Sequence, residues 1–413
     1  MTRYQTAVLE NGLRIIALST TSPVVYCGYQ LNVGTANELP DEEGIAHFCE
    51  HVTFKGTTRR TAIDVIQCLE QVGGDLNAFT TKTDTVYYSA ILKDHLPRAI
   101  DLLTDIVFHS IYPQKEINKE VEVICDEIES YNDSPAELIY DEFENIIFRG
   151  HPLGHSILGT AERVRKFTTE DALRFTQKHY QPMNSVFFAY GDVDFDNLLS
   201  LLEKENHSKV RIKGETEKPI ETPLPALSEY QPQTVKIDKL THQAHVMIGN
   251  RAYSIHDKRR MALYLLNNIL GGPGMSARLN LALRERRGLV YTVESSMVSY
   301  SLTGIWSIYF GCDADDLDEC MRLVRAELDH FIDIPLTDNE LSTAKQQIKG
   351  QIGIACDNRE NLALDFGKGF LHYGWKKDIS TLYRNIDAIT AEEVQAVARE
   401  LFPEERLTKL IYI

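Results

Sequence analysis

Five consecutive residues, His47-Phe48-Cys49-Glu50-His51, hold the combination in this chain most able to do chemistry. At ~100° per residue, positions 47, 50 and 51 share one helix face. Two imidazoles one turn apart can hold one zinc ion, and Glu50 beside them can reach a water at that metal. The arrangement is His-Glu-x-x-His read in the opposite helix direction, and it supports the same hydrolytic chemistry. Cys49 points away from that face and is a poor ligand candidate.

A catalytic zinc takes three protein ligands and keeps one position open. The helical stretch 114–131 offers Glu116, Glu120, Glu122, Asp126, Glu127 and Glu129. Glu120 and Glu127 are seven apart and share a face. Spacing does not choose among these carboxylates, and by itself the acidic run reads as a solvated helix surface. Further along, Arg284 and Tyr291 are also seven apart. On their own they read as a surface helix charge and the start of a strand. Gly271-Gly272-Pro273-Gly274 lacks the Lys-Ser/Thr of a phosphate loop, so it reads as a loop before a helix.

The elements that carry these residues follow from turns and periodicity. Alternation around Asn11-Gly12 predicts a hairpin over 4–18, and 24–33 predicts another strand. Helices are predicted over 43–55 and over 62–72, the latter stopped by Gly73-Gly74. Strands 75–80 and 85–92 come next, then helices 95–109, 114–131 and, after Asp133-Ser134-Pro135, 136–148. Strands cluster and then helices cluster. That pattern predicts an α+β fold in which helices pack on an antiparallel or mixed sheet.

Residues 207–234 are polar and proline-containing, and read as a linker between a domain at 1–206 and one at 235–413. Beyond the linker the pattern restarts. Thr85–Ala90 and the helix after it resemble Gly304–Tyr309 and its helix, offset by about 219 residues. The capping box Thr168-Thr169-Glu170-Asp171 is matched by Thr390-Ala391-Glu392-Glu393, offset by 222. Two matches at nearly one offset predict a duplicated domain. Shifting His47–His51 by about 216 lands on Leu263–Asn267, which has neither His nor Glu, so one metal site per chain is expected.

Composition sets the outer limits. The chain has 413 residues, 43% apolar and 25% charged, which is ample for packed cores. Its 43 basic and 60 acidic residues give a net charge of −17. That balance argues against nucleic acid and anionic membrane as partners. Seven scattered cysteines without a Cys-x-x-Cys pair, and a start without a signal-peptide pattern, predict a reduced cytoplasmic protein.

These motifs resemble the pitrilysin/insulinase class of zinc metallopeptidases, in particular its mitochondrial-processing-peptidase-like branch of short subunits. In that family the glutamate ligand follows the paired histidines by about 76 residues, which from His51 lands on Glu127. A helper glutamate seven residues earlier corresponds to Glu120. The resemblance thus implies His47, His51 and Glu127 as ligands of one Zn²⁺, Glu50 as general base and Glu120 as its catalytic helper. It implies that Gly73–Thr80 is an edge strand beside the zinc, with Asn77, Ala78 and Phe79 binding substrate. His151 and His155 fall in a family segment where they are read as structural. Arg284 and Tyr291 match a pair that contacts substrate from the other half of a chamber. Peptide substrates, half of a clamshell per chain, and a homodimer are implied as well. The rival reading is a non-catalytic structural or partner subunit. Such relatives lose the zinc residues or the Arg/Tyr pair, and this chain keeps both. A metal-dependent hydrolase of non-peptide substrates has no specific support in the residues.

Overall fold

The computed structural model describes residues 4–214 and 224–413. Its strands are β1 (Gln5–Leu9), β2 (Arg14–Ser19), β3 (Val24–Leu31), β4 (Asp75–Thr80), β5 (Thr85–Leu92), β6 (Ser185–Gly191), β7 (Val210–Lys213), β8 (Thr234–Ile237), β9 (Gln243–Ala252), β10 (Val290–Ser299), β11 (Gly304–Asp313) and β12 (Thr408–Tyr412). They form a seven-stranded sheet, ordered β4-β5-β3-β6-β2-β1-β7, and a five-stranded sheet, ordered β10-β11-β9-β12-β8. Both are mixed: β2 runs parallel to β6, and β8 parallel to β12, with the other pairs antiparallel. The predicted α+β class with two sheet-and-helix domains is what the chain adopts.

The hairpin forms around Asn11-Gly12 as the alternation requires, pairing Val8 with Arg14. Gly12 sits at φ +88°, where a side chain is strained. The helices that frame the site are α1 (Ile45–Thr53), α2 (Ala62–Glu70), α3 (Leu96–His109) and α4 (Gln114–Asn132). They cover one face of the larger sheet, burying Phe48, Val52, Leu69, Leu103 and Ile124 against Ile15, Cys27 and Tyr87. α4 gives the core Ile117, Val121, Ile124 and Ile128, the 3.6-residue stripe of an amphipathic helix.

The chain does not divide at one linker. One compact unit comprises Met1–Glu129, His155–Pro225 and Ala355–Asp378; the other comprises Ser130–Gly154, Ala226–Ile354 and Ile379–Ile413. The expected contiguous domains at 1–206 and 235–413 therefore differ from the packed units. The physical reason lies in β2, where Ile15 and Ala17 face one core and Ile16 and Leu18 another. A sheet apolar on both faces needs helices on both. The helix Arg359–Tyr373 covers the second face, packing Phe366 and Phe370 on Ile16, Val86 and Phe188. Arg14 donates from both terminal nitrogens to the carbonyls of Phe370 and Leu371, at 3.0 and 2.9 Å, which occupies the open end of that helix. In the second unit α5 (Pro135–Ile147) packs against β9, so each half of the sequence supplies one helix to the other unit. The two exchanged helices are themselves about 224 residues apart.

The expected linker is also shorter than 207–234. Val210–Lys213 pairs antiparallel with β1, with Val210 and Ile212 half-buried between exposed Arg211 and Lys213. That is the period of a strand, in a segment too short to stand out beside its prolines. The part of the linker at 215–223 lies outside the described residues.

The helix Arg359–Tyr373 also grips the turn between β4 and β5. Asp84, in that turn, is 2% exposed. Its carboxylate accepts from Lys368 Nζ at 3.1 Å and lies 2.6 Å from His372 Nε2. Burial raises the pKa of this carboxyl, but the Lys368 charge and the His372 hydrogen bond outweigh it and hold the group well below the usual carboxylate range. A depressed folded pKa stabilises the fold above the unfolded value of ~3.9 and is lost as pH falls below it. Asp84→Asn should thus lower the denaturant midpoint at neutral pH, and the gap from the parent protein should narrow as pH falls below about 4. A gap independent of pH would show that the charge of Asp84 contributes nothing.

Candidate metal centre

The site is built on α1, whose first turn is fixed from below. Gly44 precedes it at φ +94°, and a Cβ there would lie 2.9 Å from the Gly159 backbone. Glu38, buried, accepts from the backbone N–H of Gly44 at 2.9 Å and of Ala46 at 2.8 Å. Its Oε2 is also 2.9 Å from His155 Nε2. Burial pushes the Glu38 carboxyl up, and these three bonds oppose it. A carboxylate at the positive end of a helix is a favourable pairing. His155 is therefore structural, as read from the sequence. Glu38 was not singled out there, although an acidic residue just ahead of a helix start is the usual signal.

On the next turns, His47 and His51 place their ring centres 4.7 Å apart. From α4, Glu127 presents Oε1 3.8 Å from His47 Nε2 and Oε2 3.2 Å from His51 Nε2. One ligand atom from each of the three lies within 4.8 Å of the others, and no other group of three His, Cys, Asp or Glu comes as close among the described residues. Tetrahedral zinc with bonds near 2.1 Å separates its ligand atoms by roughly 3.4 Å, so this donor set fits the ion. Two imidazoles and one carboxylate are also a ligand class used by hydrolytic zinc.

Glu120, one helical stripe along α4, completes the surroundings. Its Oε1 is 3.0 Å from His51 Nδ1, and its Oε2 is 2.5 Å from Lys55 Nζ. Holding Nδ1 leaves Nε2 of His51 for a metal, the usual carboxylate–histidine arrangement behind a metal ligand. The charges of this cluster act on one another. Burial and the neighbouring His51 pull His47 down to about 4, against the attraction of Glu127. Burial also disfavours charge on His51, but hydrogen bonds to Glu120 and Glu127 raise it to about 9. Glu127 is lowered by its hydrogen bond with His51, and Glu120 is lowered by His51 and Lys55 against burial. Glu50, 9% exposed, is raised by burial, with a hydrogen bond from Thr80 opposing.

Glu50 and His51 open onto a cleft of about 630 Å³, whose far wall is Gly74–Ala78 of the edge strand β4. Asn77 and Ala78 line it. Phe79 does not: facing opposite to Ala78, its ring packs on Tyr88 and the core of the other sheet face. In the second unit, Arg284 lies in the last part of a π-helical turn (Asn280–Glu285) and Tyr291 is the second residue of β10. The Arg284 guanidinium carbon lies 5.5 Å from the Tyr291 ring centre, and the ring is largely exposed. The pair does meet, although the π turn was not foreseen. Leu263–Asn267 lies in the helix Arg260–Gly271, where Leu263, Leu265 and Leu266 are buried core residues.

Residues 14–161 match the family described as Insulinase (Peptidase family M16), and residues 166–348 match the Peptidase M16 inactive domain. An uncharacterized zinc protease of Streptomyces coelicolor is 33% identical over 95% of this chain and 86% of its own. An uncharacterized zinc protease of Bacillus subtilis is 32% identical over 97% and 96%. The crystal structure of a protease from Helicobacter pylori superimposes with a TM-score of 0.89 over the whole of both chains, at 22% identity. Fold and family matches together define an insulinase-like protein whose first half carries a His-His-Glu group that could hold a metal ion. The chain belongs to peptidase family M16.

Proposed function

We propose that this protein is a zinc-dependent endopeptidase, of the short-subunit branch, that cleaves peptides or short unfolded polypeptides. The observation that carries the reading is the convergence of His47, His51 and Glu127 within 4.8 Å, with Glu50 beside them on the cleft wall. These three residues would hold one Zn²⁺ per chain. Bound there, the ion supplies a Lewis acid for the attacking water and the scissile carbonyl. Glu50 takes the proton from that water and passes it to the leaving amine, a role suited to a carboxyl raised by burial. Glu120 holds the His51 ring in place. The outer edge of β4, unpaired among the described residues, receives an extended peptide through backbone hydrogen bonds, which sets the scissile carbonyl beside Glu50.

The working unit is a homodimer enclosing the substrate, in which Arg284 and Tyr291 meet the peptide. A guanidinium can hold a peptide carbonyl or carboxylate, and a phenol can donate to a developing oxyanion. The seven cysteines, all unbridged, support a reducing location, the cytoplasm. Among the described residues no helix is long and apolar enough to cross a membrane. A non-catalytic partner subunit is the second reading. It draws on the words "inactive domain", but these attach to residues 166–348 and not to the stretch bearing the histidines.

The test is cleavage of a mixed peptide library with and without a chelator. The expected result is loss of all cleavage on metal removal with the far-UV spectrum nearly unchanged. Two large cores do not depend on a metal to fold, unlike a zinc finger. Cleavage that persists without metal overturns the reading.

A further inference from the structure

The strand that forms the far wall of the cleft also reaches the proposed base. Thr80, the last residue of β4, donates from Oγ1 to Oε2 of Glu50 across 2.5 Å. That is the length of a charge-assisted O–H···O⁻ bond. A glutamate side chain has three rotatable bonds, and one bond of this kind selects among its rotamers.

The other end of the contact is rigid. Thr80 pairs with Thr85 across the hairpin. The turn that follows is closed by the Thr81 N–H on the Asp84 carbonyl at 2.8 Å and by the Asp84 N–H on Thr81 Oγ1 at 3.0 Å. Thr35 and Ala36 donate backbone N–H groups to the carbonyls of Thr81 and Lys82, at 3.1 and 2.8 Å. The buried Asp84 carboxylate is held in turn by Lys368 and His372. A hydroxyl placed on such a turn is a fixed post, whereas Glu50 is the movable partner.

We propose that Thr80 is a positioning residue for Glu50. Its hydroxyl holds one carboxylate oxygen so that the other is presented to the cleft. Because Thr80 ends the edge that receives the peptide, it keeps base and scissile bond in one register. The inference rests on the reading of Glu50 as the general base. Thr80 touches neither the ligand set nor the substrate in this role, so its removal should slow turnover without loosening metal or substrate.

The test compares Thr80→Val, which keeps the branched shape and deletes the donor, with Thr80→Ser, which keeps the donor. Steady-state cleavage of a peptide, zinc affinity by chelator competition, and the same Val substitution in a Glu50→Gln background are measured on the full-length protein. The expected result is kcat lower by about 10–100-fold in Thr80→Val, the range for lost partners around a metal site, with KM and zinc affinity unchanged. Thr80→Ser should restore kcat, and the Val substitution should have no further effect once Glu50 is gone. Should Thr80→Val fold poorly, Thr80→Ala gives the same reading without the added methyl. An unchanged kcat overturns the inference. So does zinc affinity falling in step with kcat, or an effect that persists in full beside Glu50→Gln, since either marks Thr80 as part of the local framework only. A parent protein without chelator-sensitive cleavage overturns the enzyme reading and this inference with it, whereas an active parent beside a fully active Thr80→Val overturns this inference alone.

Discussion

Glu50→Gln should keep its zinc and lose turnover by about 10²–10⁴-fold, the range for removal of a general base. Glu127→Gln should lose zinc instead. The two side chains lie on the same cluster but face it differently. Glu127 approaches both imidazoles, at 3.8 and 3.2 Å, with its two oxygens, so it closes the ligand set. Glu50 is absent from that set and faces the cleft, bonded to Thr80. An amide in place of Glu50 still accepts the Thr80 hydroxyl and fills the same volume, but it cannot take a proton from water. An amide in place of Glu127 offers zinc a neutral, weaker oxygen and removes the charge facing His51. Metal analysis of the purified variants separates the roles before any assay is run. Equal zinc loss in both would mean that base and ligand are misassigned.

The legible and illegible parts of this chain divide by the range of the forces that set them. Asn11-Gly12 makes its hairpin because a two-residue turn with φ > 0 is decided within a few residues. The capping boxes at Thr168 and Thr390 close in the structure for the same reason. Periodicity placed α1 and α4, and the spacing of His47, Glu50 and His51 then put them on one face. Periodicity did not choose Glu127 from six acidic candidates. That choice came from resemblance, and the coordinates bring its two oxygens to both imidazoles because Val121, Ile124 and Ile128 turn α4 to the core.

What was illegible depends on partners far away in sequence. The helix Arg359–Tyr373 lies in the second half of the sequence. Only the apolar second face of β2 and β6, together with Arg14 waiting for carbonyls 356 and 357 residues distant, says where it belongs. Glu38 and His155 are 117 residues apart, and neither type nor spacing links them. Thr80 is one of four threonines in the run 80–85, and Thr80, Thr81, Thr83 and Thr85 differ only in which way the hairpin turns them. Phe79 shares a motif with Asn77 and Ala78, but its ring is taken up by Tyr88 and the core that it packs on.

Mixing two inactive variants, Glu50→Gln and Tyr291→Phe, should restore part of the activity if the working unit is a homodimer with shared sites. His47, His51 and Glu127 belong to the first unit, and Arg284 and Tyr291 to the second. The resemblance to the insulinase class implies that the pair matching Arg284 and Tyr291 meets the substrate from the other half of a chamber, opposite the zinc domain. Carried to a chain of this length, that other half would be a second copy related by a two-fold axis. Closure of the two around a peptide would exclude water and folded proteins alike. Tyr291 is 81% exposed in the single chain, as a residue that works on a partner's substrate should be. In a mixed dimer, one intact zinc site with its Glu50 would stand opposite one intact Tyr291, and that site alone would turn over. If the pair serves the zinc site of its own chain, every chain in the mixture lacks one essential group and nothing is recovered. Exchange of subunits is followed separately with differently tagged copies. Demonstrated exchange without recovery would defeat the shared-site dimer while leaving the zinc chemistry of Glu50 and Glu127 standing.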